Sequence, residues 1–383
     1  MTVILSAVRT PIGKFLGGLS PLTAPQLGAL VIQYFQLVPD QVIMGNVVQA
    51  GVGQNPSRQA ALGAELPTTM DAHTVNMVCG SGLKAVMLAD VSIRSGEAEC
   101  IIAGGMESMS NAPHLLRGRT GFKYGDAQLT DALIHDGLYC PFEHWPMGNA
   151  AEHIAKKFGI TRKDQDEFSV HSHLRAAAAW EQGFFNEEVL PVEVQSGKTT
   201  LRIDRDEGIR ADSSVEALAR LKPAFAKDGT VTAGNASQLS DGAAALVIAS
   251  EVYAQKQGQK PLAKIRSQAT SGVDPKDIFI APVEAIQRAI AKAGLKLEDI
   301  DYFEINEAFA AQMLACCREL KLDPEKVNVQ GGGVALGHPI GASGARVLTS
   351  LIHTLKRTGK KFGCASLCLG GGNAVAVIVE NLA

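Results

Sequence analysis

Two thiols, one imidazole and one carboxamide occupy positions in this chain where side chains could do chemistry: Cys79, Cys368, His338 and Asn306. Cys79 precedes the segment 83–91, apolar almost all round and broken only by Lys84 and Asp90, which reads as a buried central helix. A thiol just before the first turn of such a helix faces unpaired backbone N–H groups and the positive end of the dipole, and both favour the nucleophilic thiolate. The same place also suits a small core residue, the commoner fate of a lone cysteine. His338 lies in Gly337-His338-Pro339-Ile340-Gly341, a tight loop held by glycine and proline, where an imidazole reads as a base. Cys368 ends an apolar strand pattern just before Gly370-Gly371-Gly372, whose backbone can approach a ligand oxygen and offer it N–H groups. Asn306 follows the strand-like run 302–305, at the strand end where open α/β sheets bind ligands; capping the next helix is its alternative role.

These positions need a scaffold, and the patterning points to a layered α/β protein. Short β-rich runs at 3–5, 42–44, 100–103, 244–249 and 375–379 alternate with longer helical patterns such as 283–293, which favours βαβ units. The 39 glycines cluster at expected strand-to-helix junctions, among them a predicted Gly104-Gly105 turn. Two stretches read as copies of one unit. One runs Val75-Asn76, Cys79-Gly80-Ser81-Gly82, an apolar helix, the strand 100–103 and the glycine turn. The other runs Val327-Asn328, Gly341-Ala342-Ser343-Gly344, the stripe Val347, Leu348, Leu351, Ile352 and Leu355, the strand 362–369 and Gly370-Gly371-Gly372. Two related halves would bring a loop from each to a shared centre, although many βαβ units look alike. The intervening 110–239 region is richer in charge, histidine and proline and reads as an inserted lobe.

The 383 residues suffice for two or three lobes, and the net charge of −3 gives no field to attract nucleic acid or an anionic membrane. Seven cysteines form no regular disulfide spacing, which favours a reducing compartment. No basic leader precedes a long apolar stretch, so the chain reads as soluble and cytoplasmic. Most of the other eight histidines sit in polar surroundings and are expected to face solvent; His171-x-His173 lacks the neighbours a metal site needs. No P-loop or dinucleotide fingerprint is present, which argues against a nucleotide hydrolase or dehydrogenase.

Together the blocks Val75-Asn76-x-x-Cys79-Gly80-Ser81-Gly82, Asn306-Glu307-Ala308-Phe309-Ala310, Gly337-His338-Pro339-Ile340-Gly341-Ala342-Ser343-Gly344-Ala345-Arg346 and Cys368-x-Gly370-Gly371-Gly372 resemble the four signature blocks of the thiolases. The resemblance runs from Ala7-Val8-Arg9-Thr10-Pro11 to the C-terminal strand and is nearest to the acetyl-CoA acetyltransferase branch. It implies a duplicated five-layer αβαβα fold with an inserted loop domain: a first lobe at 1–109 and 240–260, the insert at 110–239 and a second lobe at 261–383. It implies that His338 deprotonates Cys79, which carries the acyl group, and that Cys368 moves the proton of the carbanion and of coenzyme A. Asn306 would hold a water in one oxyanion hole, and the N–H groups of Cys79 and Gly370 would form the other. Coenzyme A contacts map to Arg210, Phe225, Ala233 and Ser237, and Met147 to the wall of the acyl pocket. By its residue type alone Arg210 reads as a solvated surface charge.

The same resemblance implies reversible condensation of two acetyl-CoA to acetoacetyl-CoA and CoA, no permanently bound cofactor or metal, no nucleic-acid or membrane partner, and a homodimer or homotetramer. Gly80 and Met147-Gly148 fit the short-chain branch. Pro146, Met77, Gln330 and Asn373 depart from the family's usual His, Lys, Asn and Met, and the segment after Leu27 is short, which bears on substrate range. The rival readings are a broad-chain 3-ketoacyl-CoA thiolase, which would share every reacting group, and a non-catalytic acyl-binding relative, which would have lost some. A decarboxylating condensing enzyme would lack Cys368.

Overall fold

The computed structural model describes residues 1–383, apart from the side chain of Ser196. Its long strands are β1 (Thr2–Arg9), β2 (Gln41–Gly45), β3 (Asp71–Val75), β4 (Cys100–Ser108), β5 (Ser240–Ser250), β6 (Ala263–Gly272), β7 (Tyr302–Ile305), β8 (Phe362–Leu369) and β9 (Asn373–Asn381). The principal helices are α1 (Ala24–Gln33), α2 (Pro56–Gly63), α3 (Ser81–Ser95), α4 (Met147–Lys157), α5 (Arg162–Glu181), α6 (Ala281–Ala293), α7 (Ala310–Leu320) and α8 (Ser343–Thr358).

The strands form one sheet in the order β7-β8-β9-β6-β1-β5-β4-β2-β3, which is one pattern written twice. In the first half β1 and β5 pair antiparallel, β5 and β4 antiparallel, and β4 and β2 parallel; in the second, β6–β9, β9–β8 and β8–β7 repeat that sequence. β3 has a vestigial counterpart, a parallel bridge between Phe303 and Val327. Even the irregularity recurs, since β1 bulges between Ile4 and Ser6 and β6 between Ile265 and Ser267. The halves touch edge to edge through only two residue pairs, Val3 with Lys264 and Ile4 with Ala263.

Three apolar layers explain the stacking. Leu83, Val86 and Met87 of α3 pack with Val347, Leu348 and Leu351 of α8 between the sheet halves, against Ile101 and Leu246 on one side and Leu367 and Val377 on the other. Leu27 and Val31 of α1 and Ala60 of α2 cover the outer face of the first half, and Ile286, Ala289 and Met313 of α6 and α7 cover that of the second. The result is αβαβα, and strands buried on both faces read as the near-continuous apolar runs seen in the sequence. α3 and α8 meet at their first turns through Gly82 and Gly344. A Cβ on Gly82 would lie 2.8 Å from the amide nitrogen of Ala345, and one on Gly344 would overlap that of Leu83.

Gly104 and Gly105 correct the expected glycine turn. β4 runs straight through them to Ser108, because a side chain there would collide with the carbonyls of Ala244 in β5 and of Gly341, so glycine marks close backbone approach. Among the described residues, 110–239 gives no strand to the main sheet, only two-stranded pairs and helices that include α4 and α5. This region is fastened to β1 by buried Arg9, whose Nε bonds Glu188 at 2.6 Å and whose Nη1 bonds Asp206 at 2.6 Å. Removing one partner of such a buried pair costs about 3–5 kcal/mol.

Most of the other eight histidines are exposed as expected, five of them (His73, His114, His135, His144 and His171); His173 and His353 are the buried exceptions. Nδ1 of His173 accepts the N–H of Arg210, and a ring nitrogen of His353 bonds the carbonyl of Ala7. Among the described residues no helix is long and apolar enough to cross a membrane.

Candidate active site

The C-terminal ends of β4, β7 and β8 and the N-terminal ends of α3 and α8 present their side chains to a common centre, the place where parallel strands of open sheets present ligand-binding groups. Cys79 is half-buried there, one residue before the cap of α3. Val78 ahead of it is held at φ 48°, a left-handed conformation that costs a β-branched residue about 1–3 kcal/mol, and it packs beside Gly370. Gly80 behind it lies against Leu369, where a Cβ would overlap the leucine side chain.

The backbone N–H groups of Cys79 and Gly370 both hydrogen-bond toward the Cys79 sulfur. They and the helix dipole pull its pKa down, yet burial dominates and pushes the thiol up to about 12, with the Glu107 charge adding to the rise. The helix end favours the thiolate as the sequence suggests, but burial outweighs it, so at neutral pH the thiol keeps its proton.

His338 is buried, and burial first, then the charge of Arg346, lowers its pKa to about 3, so the imidazole is neutral. Its Nδ1 lies 2.6 Å from Oγ of Ser343. The same Oγ lies 2.9 Å from the carbonyl of Pro339, so Ser343 anchors the Nδ1 side of the ring and leaves the Nε2 side to face the site. The backbone of His338 is fixed in turn, its N–H reaching Gln238 and Ser240.

Asn306 is fully buried and does not cap α7, whose N-cap residue is Phe309. Its Nδ2 lies 3.4 and 3.3 Å from the two ring nitrogens of His338, and its Oδ1 has no protein partner among the described residues, leaving an acceptor free in the site. Glu307 turns away, accepting bonds from Ser172, Asn328 and the N–H of Val334.

Cys368 is buried in an apolar cluster that includes Phe279, Phe309 and Ala308, with Met147 and Phe225 packed against it. Burial raises its pKa well above the ordinary thiol value, and ionisation of the neighbouring Cys79 would raise it further, so the two sulfurs lie close enough to sense each other. Of the residues mapped to the coenzyme A and acyl contacts, Phe225 and Met147 therefore pack against the cluster that holds Cys368, and the N–H of Ser237 bonds the carbonyl of Ala308 at 3.0 Å. Ala233 and Arg210 are exposed and lie outside that cluster.

Two residues that sequence reasoning did not single out belong to the site. Ser343 sits in the block carrying His338, and its spacing gave no hint of its bond to the ring. Glu107 is buried at the end of β4, accepting from Nδ2 of Asn46 at 2.8 Å and from the N–H groups of Val47 at 3.0 Å, Val48 at 3.3 Å and Gly341 at 3.0 Å. An acid ending an otherwise apolar strand was the available signal.

This arrangement has known counterparts. Residues 2–252 match the family model described as thiolase, N-terminal domain, and 259–381 that of thiolase, C-terminal domain. The acetyl-CoA acetyltransferase of Escherichia coli is 52% identical over 390 residues, covering 99% of both chains. The solved Bacillus anthracis acetyl-CoA acetyltransferase superposes with a TM-score of 0.97 at 45% identity, covering 100% of this chain and 98% of that one. Human mitochondrial 3-ketoacyl-CoA thiolase does so with a TM-score of 0.96 at 41% identity, covering 99% and 98%. With the duplicated five-layer fold, both family domains and full-length identity in agreement, the chain belongs to the thiolase family.

Proposed function

We propose that the chain is an acetyl-CoA C-acetyltransferase that joins two acetyl-CoA molecules into acetoacetyl-CoA and CoA, and runs the thiolysis in reverse, through an acetyl group carried on Cys79. The observation that carries this reading is the convergence of two electrostatically coupled thiols with a neutral imidazole and a buried carboxamide. Because thiol and imidazole are both uncharged at rest, proton transfer to Nε2 of His338 accompanies attack of the Cys79 sulfur on the 3-keto carbon. The oxyanion formed there meets the N–H groups of Cys79 and Gly370, already aimed at the sulfur.

Cleavage releases the acetyl-CoA carbanion, which takes its proton from Cys368. Cys368 then draws the proton from incoming CoA, whose thiolate lifts the acetyl group off Cys79. In the condensing direction Cys368 removes the α-proton, and the thioester enolate is stabilised by His338 and by a water held at Asn306. Phe225, Ser237, Ala233 and Arg210 are assigned to CoA, and Met147 to the acyl wall; the packing of Phe225 and Met147 against the cluster of Cys368 supports those two, the bond of Ser237 to Ala308 of that cluster supports the third, and exposed Arg210 fits a contact at the nucleotide end.

The assigned division is a first lobe at 1–109 and 240–260, an insert at 110–239 and a second lobe at 261–383. A homodimer or homotetramer working in the cytoplasm on lipid precursors completes the reading. The likeness to human mitochondrial 3-ketoacyl-CoA thiolase supports a second one, a broader chain-length range. Incubating the protein with CoA and either acetoacetyl-CoA or a long-chain 3-ketoacyl-CoA decides. Cleavage of the short substrate alone is expected, cleavage of both would move the assignment to the broad-range enzyme, and cleavage of neither would remove the catalytic reading.

A further inference from the structure

The registers of the two halves place Glu107 where the other half places Cys368. Gly45, last in β2, stands opposite Gly105 of β4, and Ile305, last in β7, stands opposite Ser366 of β8. Two residues beyond Gly105 comes Glu107, and two beyond Ser366 comes Cys368. One residue beyond the partner strands come Asn46 and Asn306. The duplicated framework thus carries Asn306 and Cys368 in one half and Asn46 and Glu107 in the other.

What the second pair does is written in its hydrogen bonds. Asn46, Val47 and Val48 belong to the first half and Gly341 to the loop that carries His338, and all four donate to the one carboxylate. Burial raises the pKa of this carboxyl to about 7 against the pull of the N–H groups of Val47, Val48 and Gly341, and a set of partners that are all donors is fully satisfied by the anion. The His338 loop otherwise docks on this strand end by packing alone, with Gly341 set between Met106, Glu107 and Asn46. The titratable groups facing the carboxylate are Asp241 on β5 and the Cys79 thiol just ahead of α3.

We infer that Glu107 is a positioning residue, tying the loop of the base to the half that bears the nucleophile and so setting His338 against Cys79. The inference rests on the reading of Cys79 and His338 as nucleophile and base. Its charge has a second effect, because an anion beside Cys79 opposes the thiolate in the absence of proton transfer to His338. Replacing the carboxylate by its neutral isostere therefore makes free thiolate easier to form while making catalysis worse, a combination that a purely structural role would not give.

The test is Glu107→Gln, checked for an intact thermal transition. Expected are a fall in kcat of about tenfold or more, the cost of a lost buried charge-assisted hydrogen bond, with little change in KM for CoA. Alkylation of Cys79 by iodoacetamide should shift to lower pH. Amide hydrogen exchange over 338–341 should quicken, and this readout does not depend on turnover, so an inactive wild-type chain would sink the proposed function while exchange still judged the tether. Wild-type kcat together with an unmoved alkylation profile would overturn the inference. Should the glutamine variant fail to fold, Glu107→Asp keeps the charge but retracts the carboxylate from Gly341. It should lower kcat and quicken exchange without moving the alkylation profile, and an unchanged kcat would overturn the inference. In the wild-type protein itself, rapid exchange at Gly341 would do the same.

Discussion

Nδ1 of His338 sits 2.6 Å from Oγ of Ser343, which also reaches the carbonyl of Pro339 at 2.9 Å. A hydroxyl on the first turn of a central helix thus holds the ring of an imidazole five residues earlier. Ser343→Ala frees the ring to rotate and leaves its buried Nδ1 without a partner, a loss of about 1–3 kcal/mol. The expected result is a kcat lower by about 10- to 100-fold with CoA binding retained, read from thiolysis kinetics and a CoA titration. Unchanged kcat would place the ring under other control.

Asn306→Ala removes the acceptor and amide of the first oxyanion site and should slow turnover about 10²–10³-fold while CoA still binds. Cys368→Ser should separate the half-reactions. Acetyl-CoA should still label Cys79, seen as an acetyl mass increment on its peptide, while steady-state turnover collapses. Normal turnover in either variant removes that residue from the chemistry.

The pH behaviour follows from burial. His338 is pushed down to about 3 and Cys79 up to about 12, so between those limits the resting pair is imidazole and thiol, not imidazolium and thiolate. Alkylation of Cys79 by a small neutral reagent should keep rising into the alkaline range. A plateau from about pH 4 to 7, the mark of a preformed ion pair, would contradict this.

Gly80→Ser tests the contact between the loops of the two halves. The new Cβ overlaps Leu369, and overpacking of this kind costs about 1–3 kcal/mol. A lowered thermal midpoint is expected, with partial recovery on adding Leu369→Ala, because the two sites share the clash. Strict additivity of the two changes would show that the loop relaxes elsewhere.

Much of the scaffold could be read from the chain alone, because βαβ units buried on both faces leave apolar strands, apolar helices and glycine boundaries in a fixed order. The repeated unit around Cys79 and Ser343 was visible as pattern, and the sheet order states the duplication openly. Gly104-Gly105 was misread, since a turn glycine and a close-packed strand glycine look the same until the facing carbonyls are known. Five of the other eight histidines face solvent as the sequence suggests, and His173 and His353 are the buried exceptions because polar neighbours in sequence are not neighbours in space. Glu107 escaped for a related reason: its partners lie in two other segments, and only the register that joins β2 to β4 places them around it. The thiol's acidity, too, depends on burial, which no local motif reports.

The crossing of α3 and α8 through Gly82 and Gly344 has a consequence for how this protein could be altered. Apart from the Cβ of Leu83, backbone rests on backbone there, so the loops bearing Cys79 and His338 are mounted on a joint with little room to shift. Segments of 110–239, which lie outside the main sheet, carry Met147 and Phe225, so on the proposed reading exchanging them with those of relatives should reshape the acyl and CoA surfaces while that joint stays fixed. New chain-length preferences are then a matter of transplanting cover segments onto an unchanged bearing.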